Sequence, residues 1–272
     1  MSKLKLRPRG RTGLVHEVTP QSAGWRYVGF AVHALEDGAR VAAETGETEV
    51  CLVLVSGRAR FTVDGRDFGE MGGRASPFEG APDALYVPMG ARWEAVAVGA
   101  VELAVCSAPG APGFGPRAIP AGTHPQKARG QGTNTRHVTN IMPEDDGAAH
   151  SLLVVEVITP GGHTSSYPPH KHDQDDLPAE SYLEETYYHR FNPQQGFAFQ
   201  RVYTDRDEAS GERALDEAIA VEDGDVVLVP RGYHPVAAIH GYDGYYLNVM
   251  AGPSRAWKFH NAPEHQWLFT GV

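Results

Sequence analysis

Two histidines separated by a single residue, His170-Lys171-His172, are the first side chains in this sequence whose types and spacing could do chemistry together. In an extended segment residues i and i+2 lie on one face roughly 6.6 Å apart, so both imidazoles can converge on one ion while Lys171 points away. Two further groups stand where they could join them. Glu184-Glu185 opens a later apolar run, and His234 follows the turn Pro230-Arg231-Gly232. On an alternating strand Glu185 shares a face with Tyr187 and His189, whereas Glu184 shares the other with Thr186, Tyr188 and Arg190, which makes Glu185 the expected fourth ligand. Three imidazoles and a carboxylate suit one divalent ion, Zn, Mn, Fe, Co or Ni, and leave coordination positions open for water or substrate. That openness is the mark of a catalytic centre.

The elements that must position these groups read as strands. Short apolar runs recur at Val50 to Val55, Ala59 to Val63, Val101 to Val105, Leu152 to Ile158, Val226 to Val229 and Tyr245 to Met250, separated by Gly, Pro and Asp. This pattern predicts an all-β chain, with Asp216 to Val221 the one short helical candidate. Ser107 to Pro116, dense in Pro and Gly, reads as a surface connection and divides the chain into residues 1–125 and 126–272. An internal repeat supports two tandem β units. Leu85-Tyr86-Val87-Pro88-Met89-Gly90 has the design of Leu228-Val229-Pro230-Arg231-Gly232, and the run from Glu49 parallels the run from Glu185. By this repeat Arg92 stands where His234 stands, so the first half is expected to lack the metal ligands.

Bulk properties narrow the partners. A formal net charge of -10 argues against nucleic acid or an anionic membrane surface as the main partner, since both need a basic face. Cys51 and Cys106 each lie in an apolar run and are expected as buried free thiols, which suits a reducing compartment. The basic start Met1 to Gly10 lacks a following apolar stretch, and no run approaches the ~18 apolar residues of a membrane span. A cytoplasmic location is the expectation.

The spacing resembles the cupin superfamily. Gly224 to Gly232 fits the opening of its second motif, with Pro230-Arg231-Gly232 as the Pro-x-Gly element. Two departures are visible: Asp173 to Leu183 lengthens the gap between His172 and Glu185, and only Tyr233 separates Gly232 from His234. More specifically, Ser165 to Asp173, Leu183 to Tyr188, Gly232 to Pro235, Tyr245 to Pro253 and Trp257 to His260 are similar to the 5-deoxy-glucuronate isomerase family of myo-inositol catabolism. The resemblance implies a bicupin of two tandem jelly-roll barrels. It implies metal ligands at His170, His172, Glu185 and His234, and conversion of 5-deoxy-D-glucuronate into 2-deoxy-5-keto-D-gluconate. The related uronate ketol-isomerase of pectin breakdown shares the scaffold, and an iron-dependent cupin dioxygenase or a non-catalytic sugar-binding bicupin are the rival readings.

The implied reaction removes a proton beside a carbonyl and stabilises a cis-enediolate, which a chelating cation and a base near neutral pKa would serve. Glu184, His189, Tyr187 and Tyr246 are the candidates for proton transfer. The substrate carboxylate needs a cation, for which Arg190, Arg201, Arg231 and Lys258 lie in the right half. A small sugar acid is the expected partner, together with further copies of the chain in a homo-oligomer.

Overall fold

A computed structural model describes residues 2–270 of the chain. Every predicted apolar run falls on a strand, with Leu152 just ahead of the strand Leu153–Thr159, and all strand pairs among the described residues are antiparallel. The first half forms one eight-stranded sheet between Gly13–Val18 and Arg117–Ile119, folded on itself by two long strands, Thr48–Val63 and Arg92–Pro109. The bend sits at Gly57, whose φ is +85° and where a Cβ would come within 2.2 Å of the Ala100 carbonyl oxygen. The second half uses two large sheets and two small two-stranded ones. A seven-stranded sheet carries Glu184–Asn192 in its interior, between Val226–Val229 and Asp243–Ala251, and a four-stranded sheet carries Phe197–Tyr203. The architecture is thus all-β, two jelly-roll barrels in tandem.

Strand alternation divides most of the buried apolar residues among three large cores, with Tyr203, Tyr233 and Ala262 forming a small fourth. Along Glu184–Asn192, Tyr187 and Phe191 face inward between the two large sheets of the second barrel, while Tyr188 joins a core shared with the first half. That shared core includes Phe30, Val53, Tyr86 and Cys106 from one side and Met142, Leu152, Tyr245 and Leu247 from the other.

The junction is fastened reciprocally by buried carboxylates. Glu184 accepts the backbone N–H groups of Arg26, Tyr27 and Val28 at 2.7, 2.7 and 3.1 Å. Glu49 does the same for His150, Ser151 and Leu152 at 2.8, 2.7 and 2.7 Å. Arg74 of the first half pairs bidentately with Glu156 of the second, at 3.2 and 2.9 Å. The two glutamates also fix the internal repeat. Val50 pairs with Val87 as Glu185 pairs with Val229, so Glu49 corresponds to Glu184 and not, as the sequence suggested, to Glu185.

Three other expectations change. Asp216–Glu222 is a strand, held by pairing with Phe197–Tyr203 and burying Ile219 and Val221 at alternate positions. The presumed connection is in part structured, because Ser107 to Pro109 complete the strand Arg92–Pro109 and Ala108 is buried. At the other end, Lys5–Leu6 pairs with Val226–Val227 in the second barrel's sheet. Cys51 and Cys106 are buried free thiols facing each other across two strands. No described helix is long and apolar enough to cross a membrane.

Removing the Glu184 carboxylate would strand three N–H donors at the junction, each costing about 1–3 kcal/mol when buried without a partner. Glu184→Ala should therefore lower the melting temperature by roughly 10 °C, taking about 2–4 °C per kcal/mol for a chain of this size. A thermal melt within about 2 °C of the wild type would show that these bonds do not hold the halves together.

Candidate metal centre

His170 begins the short strand His170–Lys171, His172 follows it, and His234 closes the turn after Val226–Val229. The ligand atoms of these three histidines lie within 4.8 Å of one another. Glu185 completes the cluster, with its Oε2 3.1 Å from His172 Nε2 and 3.3 Å from His234 Nε2. Ligands about 2.1 Å from one ion are about 3 Å apart when adjacent in its coordination shell, so these spacings fit a shared cation.

The backbone fixes which nitrogens face the centre. His172 Nδ1 lies 3.0 Å from the Leu183 carbonyl and His234 Nδ1 2.9 Å from the Gly232 carbonyl. A carbonyl only accepts, so each Nδ1 carries the proton and each Nε2 presents a lone pair. His170 is likewise held by the backbone of Pro168. Lone pairs on two Nε2 atoms therefore converge on an anionic oxygen, an arrangement that needs a cation between them. His234 Nε2 is also buried with no hydrogen-bond partner. This orphaned donor set fits a divalent metal ion.

Protonation follows the same logic. Burial pulls His170 and His234 down to about 3, with the neighbouring imidazoles adding to the effect on both. Without an ion, a proton can take its place on His172 Nε2: burial opposes that charge, but the hydrogen bond it then donates to Glu185 and the carboxylate's charge outweigh burial, and the pKa of His172 is raised. His189 is lowered to about 4 by burial, against the hydrogen bond to Gln200.

Beside the cluster is a cavity of about 40 Å³, bounded by His170 and Glu185, by Tyr187, Tyr246 and Ser166, and by Val138, Val155 and Val157. Arg129, Arg136, Asn248 and Trp257 complete its wall. Ser166 Oγ lies 2.9 Å from Tyr187 Oη and 3.4 Å from Tyr246 Oη. Ser166 itself adopts a φ of +48°, an unusual conformation for a residue other than glycine. Burial, above all, pushes both phenols upward, so they remain protonated.

Of the candidates for proton transfer, Tyr187 and Tyr246 reach the cavity. His189 lies behind Tyr187, its ring 5.9 Å from that of the tyrosine and its Nε2 3.0 Å from Gln200 Oε1. Glu184 faces the opposite side of the sheet in the junction described above. None of the four cations expected to meet a carboxylate lines the cavity. Arg190 is held by Glu102 and by Asp223, Arg201 by Asp216 on the outside, and Lys258 by Glu144 at 2.9 Å. Arg231 is exposed on a surface groove with Lys171, Asp173 and Asp205. The inserted segment after His172 is a hairpin, Asp173–Asp176 with Glu180–Tyr182, tied down by Glu180 and by Asp173 to the Gly232 N–H.

The cavity residues missed in the sequence carried a signal. Asn248 interrupts an apolar run on the same face as Tyr246, and Arg136 shares the inward face of its strand with Val138.

The KduI/IolB family profile matches residues 2–268 of the chain. A 5-deoxy-glucuronate isomerase of Geobacillus kaustophilus is 53% identical over 257 residues, covering 94% of this chain and 91% of that relative. One of Bacillus subtilis strain 168 is 47% identical over 94% of this chain and 92% of its own length. Among solved structures, an IolB-like protein of Salmonella typhimurium superposes with a TM-score of 0.94 at 48% identity, covering 98% of this chain and all of that one. An oxalate decarboxylase of Bacillus subtilis superposes at 0.63 with 15% identity over 96% of this chain and 80% of that one, a likeness of fold.

The histidine shifts set an acid limit on the metal-free protein. His170, His189 and His234 have folded pKa values below the unfolded one, so the unfolded chain binds more protons below about pH 6.5 and stability falls as pH drops. His172, raised by Glu185, acts in the opposite sense, adding stability below about pH 6.5 that is lost as pH rises through its folded value. Burial lowers His16 and His33 as well, so with five lowered imidazoles against one raised, chelator-treated protein should lose stability as pH falls from about 6.5 to 4, each lowered imidazole contributing up to roughly 1.4 kcal/mol per pH unit. Denaturant midpoints across this range check the expectation, and His189→Gln should flatten the slope; a pH-independent midpoint would contradict it.

Proposed function

The chain belongs to the KduI/IolB family, and from that premise we propose that it is a 5-deoxy-glucuronate isomerase. It converts 5-deoxy-D-glucuronate into 2-deoxy-5-keto-D-gluconate in myo-inositol catabolism. The observation that carries this reading is 53% identity to a curated enzyme of that name over 94% of the chain. Neither an oxidative reading nor a non-catalytic one has comparable support, since the likeness to oxalate decarboxylase is at 15% identity.

We assign one divalent ion, among Zn, Mn, Fe, Co and Ni, to His170, His172, Glu185 and His234, with cellular availability deciding among them. Such an ion supplies Lewis-acid polarisation of the adjacent carbonyl and hydroxyl oxygens of an open-chain sugar acid. The protein's own groups act on those oxygens and on their surroundings. Tyr187 and Tyr246, protonated at neutral pH, donate hydrogen bonds to oxygens on which negative charge develops. Ser166 Oγ lies between the two phenols, 2.9 Å from Tyr187 Oη and 3.4 Å from Tyr246 Oη, and so holds both hydroxyls at the cavity. Val138, Val155 and Val157 keep that side of the cavity dry, which strengthens each polar contact.

A six-carbon acid needs more than about 40 Å³, so binding must displace part of the wall. The segment from Gly252 to Phe259 lies outside any regular element and carries Trp257, which lines the cavity, and Phe259, whose ring lies 4.7 Å from that of His170. An acidic chain with buried free thiols suits a cytoplasmic enzyme, and exposed edge strands suit a homo-oligomer.

Purified protein loaded with metal should isomerise 5-deoxy-D-glucuronate, followed by loss of the aldehyde proton signal. Chelation should stop turnover, and His172→Ala or His234→Ala should lose both metal and activity. Tyr187→Phe should keep the metal and lower kcat by about 10²–10³-fold. Metal-loaded protein that leaves this compound unchanged would remove the assignment.

A further inference from the structure

Two arginines on adjacent strands face the cavity that holds the candidate metal cluster. Arg129 ends Lys127–Arg129 and Arg136 begins Arg136–Met142, and the two are direct cross-strand partners. Like charges placed opposite each other in a sheet repel. Both side chains are half-buried, and both line the cavity wall. The repulsion has no relief from the protein: among the described residues neither arginine makes an ion pair, although the chain carries an excess of acidic groups.

What holds them in place is neutral. Arg136 Nη1 donates to the Asn134 carbonyl at 3.2 Å, and the Arg129 guanidinium lies 5.6 Å from the centre of the Trp257 ring. The tight turn between the strands requires Gly130, with a φ of +78° and with the Asn134 carbonyl oxygen 2.2 Å from where a Cβ would be. Both arginines also act electrostatically on His170, and Arg136 on Tyr187 and Tyr246, which places their charge at the cavity. Glu185, the one acidic side chain in the lining, is turned to the histidines.

We propose that Arg129 and Arg136 form a paired clamp for the substrate's carboxylate, and so select sugar acids over neutral sugars. This rests on the isomerase reading and deepens it by naming the groups that recognise the acid. In 5-deoxy-D-glucuronate the carboxylate lies at the opposite end of the six-carbon chain from the aldehyde. An acid held by two guanidinium groups at one end of the cavity presents its carbonyl end to the histidine cluster at the other. A guanidinium fork meets a carboxylate with two parallel hydrogen bonds, and charge-assisted bonds are the strong ones. Binding the anion also relieves the cross-strand repulsion.

The test compares 5-deoxy-D-glucuronate with 5-deoxy-D-glucose, in which a CH2OH group replaces the carboxylate. Arg136→Gln and Arg129→Gln should each raise KM for the acid by about 10–100-fold with a much smaller change in kcat. Their kcat/KM for the neutral sugar should stay within about threefold of the wild type, with metal content unchanged and the thermal melt equal or slightly higher, because one of two repelling charges is gone. Arg136→Lys, which keeps the charge and loses the fork, should fall between. If both glutamine variants kept the wild-type preference for the acid, the clamp would be excluded while the isomerase reading stood. If the wild type turned over neither compound, the isomerase reading would fall, and the clamp with it.

Discussion

Two imidazole lone pairs and a carboxylate oxygen pointing at one another inside a protein form an arrangement that only a cation makes favourable. In this chain it is imposed from outside the cluster. The carbonyls of Leu183 and Gly232 each take the outer N–H of a histidine and so turn the inner nitrogen toward Glu185. Each of those carbonyls belongs to a segment that the fold fixes for its own reasons, the residue before the strand Glu184–Asn192 and the Pro-x-Gly turn after its neighbour. The site is preorganised because its supports are backbone.

The two glutamates at the head of that strand show how one sequence feature divides between stability and chemistry. Strand alternation sends Glu185 into the barrel and Glu184 to the junction, where it meets three N–H groups of the other half. Glu49 makes the reciprocal contact and has Val50 as its neighbour, with Arg92 in the place of His234. Tandem repetition kept the clamp in both halves and the ligand set in one. The shared core and the Arg74–Glu156 pair then hold the junction rigid behind the candidate metal centre.

Much of this was legible in the sequence because it rests on local periodicity. The strands, the His-x-His pair, the choice of Glu185 over Glu184 for the inner face and the Pro-x-Gly repeat all follow from alternation and turn chemistry. What escaped depends on contacts between distant segments. Arg190, Arg201 and Lys258 each have a carboxylate partner that no spacing announces, whereas Arg129 and Arg136 lie beside what reads as a boundary between halves. Asp216–Glu222 has a composition open to helix or strand, and its pairing with Phe197–Tyr203 decides the matter. Glu184 looked like a base because a sequence does not reveal which buried N–H groups lack partners.

The claim on which the account depends most directly is that three imidazoles and one carboxylate share an ion. X-ray absorption at the metal edge of the purified protein reads that ligand set without reference to turnover. The account predicts about one divalent ion per chain, scattering from three histidine rings, and oxygen neighbours that include Glu185 and lose one member in Glu185→Ala. An ion with fewer histidine neighbours, a spectrum unchanged by that substitution, or no bound ion at all would contradict it.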